Sequence, residues 1–139
     1  MKRARVKWVN NMKFVGEAPT GHLIPMDTTP EVGGESSAPR PGDLPLVALG
    51  GCTGMDVISI LRKMRVDLDS FEMVIDGENR KEHPRYFEKV HIKYIFKGRG
   101  LDESEIKKAV ELSQDKYCSV SAMMKKSAEL TYDIEIISS

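Results

Sequence analysis

A long apolar segment, residues 44–64, constrains the fold of this chain more than any other feature. It reads LPLVALGGCTGMDVISILRKM, and apolar residues cover nearly the whole circumference of the predicted helix. Asp43 is a candidate N-cap, and Pro45 falls in the first turn, where its missing N–H is tolerated. A helix that is apolar all round is a buried one, so we predict a central helix about 30 Å long.

Glycines interrupt the middle of this predicted helix, at Gly50, Gly51 and Gly54. Glycine lowers helix stability by about 1 kcal/mol relative to alanine, so we expect a kink or a break at this point. Cys52 lies among these glycines and would then lie near the N-terminus of the second half. Free N–H groups at such a position favour a thiolate.

The chain is predicted to form a single domain over residues 1–139. Alternating residues on both sides of an Asn-Asn turn predict a β-hairpin region, 1–26. Residues 27–42 are rich in Pro, Gly and Ser and indicate an exposed loop. The core, 43–139, begins with the central helix and continues through strands and further helices.

The predicted order of elements in the whole chain is β-β-β-α-β-β-α-α-β. The core strands alternate apolar and polar residues, and a capping box at Asp102 and Glu105 opens the second helix. Ser119 is a candidate cap for the third helix. Strands adjacent in sequence are expected to pair antiparallel, which gives an α+β fold. The three predicted core strands cover residues 66–76, 86–96 and 132–137.

Composition excludes several classes of function. Lys and Arg total 21 and Asp and Glu total 21, so the formal net charge is zero, which argues against a nucleic-acid partner. There is no uninterrupted apolar run of about 18 residues, so we expect no membrane span. The N-terminus lacks the apolar core of a signal peptide, and we predict a cytoplasmic protein. No nucleotide-binding or metalloprotease motif is present.

The only two cysteines, Cys52 and Cys118, are the main candidates for chemistry. A structural disulfide is uncommon in the cytoplasm, which leaves redox chemistry, metal binding or packing. A single free cysteine is more often a core residue. Both of these cysteines fall at predicted helix starts, however, which favours a redox pair. No histidine has a ligand-like spacing from another histidine or from either cysteine, so no metal site is predicted.

Two stretches of the sequence together resemble the OsmC/Ohr family: ALGGCTGMDVISIL (48–61) and DKYCSVSAMM (115–124). The resemblance extends over essentially the whole chain. It implies an OsmC-like fold, with antiparallel sheets wrapped around a long central helix in an intertwined homodimer. It also implies reduction of organic hydroperoxides without a cofactor, with Cys52 as the peroxidatic and Cys118 as the resolving cysteine. A dithiol such as a lipoylated protein would be the reductant.

The chain departs from the family pattern next to this cysteine helix. The best-characterised family members have a Glu ten residues before the first cysteine that helps an Arg to activate the thiolate, and that position is Gly42 here. Arg40 is the candidate activating cation and Asp43 its candidate partner, with Arg5 as another cation. The missing Glu leaves two alternatives open: a slow or non-enzymatic OsmC-like stress or binding protein, and a thiol–disulfide redox regulator.

Overall fold

The computed structural model describes all residues, 1–139. The chain consists of two compact units. The first unit is Met1–Pro45 and the second is Leu46–Ser139. Each unit contains one three-stranded sheet. The elements follow the predicted order β-β-β-α-β-β-α-α-β, so the α+β class is confirmed.

The first unit is built on an antiparallel sheet of order β1-β2-β3. Asn11 lies in the turn between β1 and β2 with φ at 46°, a left-handed conformation that asparagine adopts more readily than most residues. The predicted hairpin and third strand are therefore confirmed. The three strands are Arg5–Asn10, Lys13–Glu17 and Leu23–Met26.

The predicted loop 27–42 contains no strand and is mostly exposed, but one buried carboxylate orders it. Asp27 is 2% exposed. Its oxygens accept hydrogen bonds from the backbone N–H groups of Thr28, Glu35 and Ser37 and from the Ser37 hydroxyl. The Ser37 hydroxyl has the largest effect, and together these bonds lower the pKa of Asp27 to about 2. The loop therefore folds around a fixed negative charge.

The central helix, α1, is continuous over Leu44–Lys63, so the predicted break at the glycines is wrong. Two of these glycines face the sheet of the second unit. A Cβ atom at Gly50 would lie 2.7 Å from Ile75 Cδ1, and one at Gly54 would lie 2.8 Å from Met73 Cε. The missing side chains allow the helix and the sheet to pack closely here. The free energy gained from this packing compensates for the low helix propensity of glycine.

Only one face of α1 is buried within the chain. Leu49, Val57 and Leu61 are at most 1% exposed and belong to the hydrophobic core. Val47 and Met55 are 69% and 76% exposed on the same helix. The prediction of a helix buried all round is therefore wrong for a single chain.

The helical stretch Pro41–Lys63 is long and apolar enough to cross a membrane, by length and composition only. This differs from the expectation that no segment could do so. A core helix of a soluble protein passes the same test. Because α1 contributes Leu49, Val57 and Leu61 to the core of the second unit, we assign it as a core helix.

The sheet of the second unit has the order β4-β5-β6. The hairpin of β4 and β5 is antiparallel, as predicted, but β6 runs parallel to β5. The prediction of antiparallel pairing is wrong here because the connection between β5 and β6 contains helices. Such a crossover returns the chain to the end of the sheet from which β5 started. The three strands are Ser70–Asn79, Phe87–Gly98 and Glu129–Ser138.

The second helix, α2, spans Glu103–Leu112. Its N-cap is Asp102, whose carboxylate accepts a hydrogen bond from the Ser104 N–H at 2.8 Å, so the predicted helix start is confirmed. A π-helical turn, Ser113–Tyr117, continues α2. The buried residues of α2 join α1 and the central strand β5 in one hydrophobic core.

Candidate active site

The fold brings together the two cysteines that are far apart in sequence. Cys52 lies in the middle of α1. Cys118 is the N-cap of a short third helix, α3, which spans Ser119–Met124. Both cysteines are free thiols, and their sulfur atoms lie within 4.8 Å of each other. Modest movement of either side chain brings the sulfurs to bonding distance.

Cys118 is the more buried of the two cysteines, at 4% exposed. Its sulfur accepts a hydrogen bond from the Ser121 N–H at 3.3 Å. The sulfur thus fulfils the capping function that we predicted for the Ser119 hydroxyl, and that prediction is wrong. Burial raises the pKa of Cys118 more than the hydrogen bonds from Ser121 lower it. Cys118 is therefore a protonated thiol near neutral pH.

Cys52 is partly exposed and has the opposite pKa shift. Burial is the largest influence and raises its pKa. Hydrogen bonds from the Val120 N–H, the Cys118 thiol and the Ser119 hydroxyl outweigh this effect, so that the pKa of Cys52 is lowered. The Ser119 hydroxyl lies 3.9 Å from the sulfur. Cys52 is therefore the more acidic thiol of the pair.

The source of this activation differs from the one expected from sequence. Cys52 does not lie at a helix N-terminus, because α1 is unbroken at the glycines. Its stabilising donors come from the first turn of α3, which is distant in sequence. One of the donors, the Val120 N–H, is of the predicted kind, a free backbone N–H at the start of a helix, but it belongs to α3 and not to α1.

Sequence reasoning missed a third member of the site, Asp56. One of its carboxylate oxygens lies within 4.8 Å of both sulfur atoms. Asp56 follows Cys52 by four residues on α1, a spacing that places two side chains on the same helix face. That spacing was visible in the sequence and was the signal that could have identified it.

A buried chain of hydrogen bonds ends at the Asp56 carboxylate. Ser113 Oγ donates to Asp56 Oδ2 at 2.9 Å and lies 2.7 Å from Thr53 Oγ1. Thr53 Oγ1 in turn lies 2.6 Å from the Tyr94 hydroxyl, which accepts from Gln114 Nε2 at 2.7 Å. Because each hydroxyl has one proton to donate, the chain runs from Gln114 through Tyr94, Thr53 and Ser113 to the carboxylate.

The two cysteines and Asp56 are the one group of side chains in the chain whose potential ligand atoms lie close enough together to hold a metal ion. Cys52, Asp56 and Cys118 offer two sulfurs and a carboxylate oxygen within 4.8 Å of one another. No metal site was predicted from the spacing of the histidines and cysteines, and this stays a prediction.

Arg40 and Asp43 lie at the two ends of the segment that leads into α1. Arg40 precedes a short 3₁₀ turn, Pro41–Asp43, and both side chains are exposed. They form no ion pair with each other, so the predicted bidentate pair is absent. All influences that lower the pKa of Cys52 are hydrogen bonds rather than cations. A role for Arg40, Asp43 or Arg5 in activation stays a prediction.

These features define a two-cysteine α+β protein in which a more acidic, partly exposed thiol lies beside a buried one. The model of the OsmC-like protein family matches residues 33–133. The chain belongs to this family, and the resemblance noted in the sequence is confirmed.

Similar proteins and solved structures match nearly the full length of the chain. Protein YhfA of Escherichia coli K12 is 40% identical over 135 residues, which cover 97% of this chain and 98% of YhfA. A crystal structure of a hypothetical protein from Aquifex aeolicus VF5 is 30% identical, covers 98% and 97% of the two chains and has a TM-score of 0.81. The organic hydroperoxide resistance protein OsmC from Legionella pneumophila is similar in fold, at 16% identity, 97% and 96% coverage and a TM-score of 0.72.

Proposed function

We propose that this protein is a thiol peroxidase that reduces organic hydroperoxides through a disulfide between Cys52 and Cys118. The observation that carries the proposal is the asymmetric pair. The two sulfurs lie within 4.8 Å of each other, one thiol with a lowered and the other with a raised pKa. A peroxidatic cysteine must be a thiolate, whereas a resolving cysteine need only be near it.

The reaction takes place in three steps. The Cys52 thiolate attacks the distal oxygen of the hydroperoxide, the O–O bond breaks, and the alkoxide leaves and is protonated to the alcohol. The resulting Cys52 sulfenic acid condenses with the Cys118 thiol to a disulfide and water. A dithiol such as a lipoylated protein then reduces the disulfide by thiol exchange. Cys52 is partly exposed, which gives both peroxide and reductant access to it.

Membership of the OsmC-like family supports this proposal. A fold neighbour from Legionella pneumophila is named an organic hydroperoxide resistance protein. A redox-active cysteine pair, in place of a structural disulfide, also fits the proposed cytoplasmic location. The catalytic machinery needs no metal or prosthetic group in this scheme, because sulfur carries both electrons.

A second candidate is a thiol–disulfide redox regulator, or a slow stress protein, on the same fold. One observation favours it: hydrogen bonds alone lower the pKa of Cys52, without a cation beside the sulfur. A cation within about 4–6 Å lowers a pKa by one to three units. Without one, Cys52 would form a disulfide readily but react with peroxide more slowly.

Oxidation with one equivalent of an alkyl hydroperoxide tests the proposed pairing. We expect the loss of two free thiols per chain and a fall in mass by two hydrogen atoms, because the nearby Cys118 captures the sulfenic acid. Intact-mass spectrometry and thiol titration measure both. A persistent sulfenic acid on Cys52 with Cys118 still free would contradict the pairing.

The rate of turnover then separates the two candidates. Steady-state consumption of alkyl hydroperoxide with dihydrolipoamide as reductant is expected for a peroxidase. Rapid disulfide exchange with dihydrolipoamide but negligible consumption of peroxide would favour the redox regulator.

We further propose that the functional form is a homodimer. Every residue of β1 is exposed in the single chain, including Val6 at 64% and Trp8 at 61%. On α1, Met55 is 76% exposed and lines an apolar groove together with the glycine face of the helix. Exposed apolar surfaces of this kind mark interaction sites. A second copy would cover both.

Charge introduced at the α1 groove tests the dimer. We expect light scattering to give a dimer mass for the wild type at micromolar concentration and a monomer mass for Met55→Glu, because a carboxylate would be buried unpaired. Lys107→Glu, at an exposed position of α2, is the control and should stay dimeric. A monomeric wild type would refute the proposal.

A further inference from the structure

The Asp56 carboxylate lies beside the cysteine pair but has no role in the proposed reaction. One of its oxygens lies within 4.8 Å of both sulfurs, a separation that one bridging water or a small rotation of the side chain can close. Its negative charge works against a thiolate on Cys52. The carboxylate therefore does not help the first step, attack on the peroxide.

The surroundings of Asp56 hold it in place and leave one oxygen available. Ser113 Oγ donates to Oδ2 at 2.9 Å, at the end of the hydrogen-bond chain from Gln114 through Tyr94 and Thr53. The Oδ1 atom has no hydrogen-bond partner in the protein. Ser113, Thr53 and Gln114 are all at most 4% exposed, so a buried hydrogen-bond chain orients the carboxylate of Asp56, which is itself partly exposed.

The second step of the reaction requires a base. Cys118 is a buried, protonated thiol, and a thiol must lose its proton to attack sulfur. The Cys52 sulfur and a carboxylate oxygen of Asp56 both lie within 4.8 Å of the Cys118 sulfur. The Ser121 N–H donates to that sulfur and cannot accept its proton, and the Tyr94 phenol is close enough for Cys118 to affect its pKa. Once Cys52 is a sulfenic acid it is no longer a thiolate, and Tyr94 is a protonated phenol because burial raises its pKa. Asp56 is the remaining acceptor.

We propose that Asp56 is the base of the resolving step, accepting the proton of Cys118 while Cys118 attacks the Cys52 sulfenic acid. This role rests on the proposed function for the origin of the sulfenic acid. The S–H bond of Cys118 breaks and its electron pair forms the S–S bond. The S–O bond of Cys52 breaks, and the departing hydroxide takes the proton from Asp56 and leaves as water. The Cys118 sulfur is oxidised, the sulfenic sulfur is reduced, and Asp56 is again a carboxylate.

The test uses the aromatic disulfide dithiobis(nitrobenzoate) as the probe, so that it does not depend on peroxide. Cys52 attacks the reagent and releases one coloured thiolate, and Cys118 then displaces a second from the mixed disulfide. In Asp56→Asn we expect the first release to be as fast as in the wild type or faster. The second release should be slower by about 100-fold, within the range that general bases contribute. Stopped-flow absorbance resolves the two phases.

Three variants make this result specific. Asp76→Asn removes an exposed carboxylate from β4 that forms no ion pair, and both of its phases should match the wild type. Asp56→Glu keeps a carboxylate and should recover part of the second phase. Ser113→Ala removes the donor to Oδ2 and should give an intermediate rate.

The outcomes separate this proposal from the peroxidase proposal. If the second release is as fast in Asp56→Asn as in the wild type, or if both releases are slowed equally, Asp56 is not the base. If alkyl hydroperoxide fails to oxidise the wild type while the second phase still depends on Asp56, the proposed peroxidase function fails and the role of Asp56 in disulfide formation is upheld.

Discussion

Cys52→Ser is expected to abolish the reduction of alkyl hydroperoxide completely. Cys52 is the thiol with the lowered pKa, and the remaining thiol, Cys118, is 4% exposed with a raised pKa. A serine hydroxyl does not ionise near neutral pH and cannot replace a thiolate as the nucleophile. Peroxide consumption with dihydrolipoamide, measured at saturating reductant, is the assay. Residual activity above the uncatalysed rate would show that Cys118 or another group attacks the peroxide.

Cys118→Ser should affect a different step of the same reaction. The rate of the first oxidation should stay within the same order of magnitude as in the wild type, because the Val120 N–H and the Ser119 hydroxyl still stabilise the Cys52 thiolate. Without a resolving thiol, excess peroxide should carry Cys52 on to the sulfinic acid. Mass spectrometry would then detect the addition of two oxygen atoms. Equal loss of the first oxidation step in both variants would refute the assignment of separate roles.

The pH dependence of the first oxidation follows from the lowered pKa of Cys52. The rate should rise with pH as the thiolate forms and level off at a lower pH than for an ordinary cysteine thiol. The sign is fixed by the pKa shift: a lowered pKa leaves more thiolate at any pH below the ordinary value. The same profile measured on Cys118→Ser isolates this step.

Gly34→Ala is expected to have the largest effect on stability in the first unit. A Cβ atom at this position would overlap the Thr28 carbonyl group. That carbonyl cannot move freely, because its oxygen accepts a hydrogen bond from the Ser36 N–H at 2.9 Å. Forced overlap of this kind typically costs about 1–3 kcal/mol of unfolding free energy. Urea unfolding should therefore shift to a lower midpoint.

Trp8 is a suitable reporter for this experiment, because it is the only tryptophan in the chain. Its indole N–H donates to Asn11 O at 2.8 Å, and the Asn11 side chain donates to Gly33 O at 3.0 Å. Gly42→Ala is the matched control, because a Cβ atom there meets nothing within 4 Å. It should leave the midpoint unchanged or slightly raised. Equal midpoints for the two variants would contradict the predicted clash.

Much of the architecture was predictable because its signals are local. Alternation over the strands requires only neighbouring residues, and the Asp102 carboxylate caps a helix that starts at the next residue. The two cysteines were also identifiable, from their scarcity and the motifs around them. The parallel pairing of β5 and β6 was missed, although two helices were predicted between them and indicated a crossover connection. The second of these helices is shorter than predicted and ends at Met124.

The errors at the site share one physical cause, which is that contacts across the fold override local preference. Gly50 and Gly54 indicate a helix break when only propensity is considered, but Ile75 and Met73 of the sheet occupy the space that their missing side chains leave. The helix therefore continues, and Cys52 lies in its middle and not at an N-terminus.

The sequence by itself determined the α+β class and the order of the elements, and it identified Cys52 and Cys118 as the candidate reactive pair, because residue alternation, helix signals and the scarcity of cysteine can be read from local sequence. The tertiary structure decided which cysteine is more acidic and what surrounds it. Hydrogen-bond donors from the start of α3 reach the sulfur on α1. Asp56 and its buried hydrogen bonds join the same cluster. Proton affinity depends on burial and on donors within a few ångströms, and only folding brings residues from such distant segments so close together.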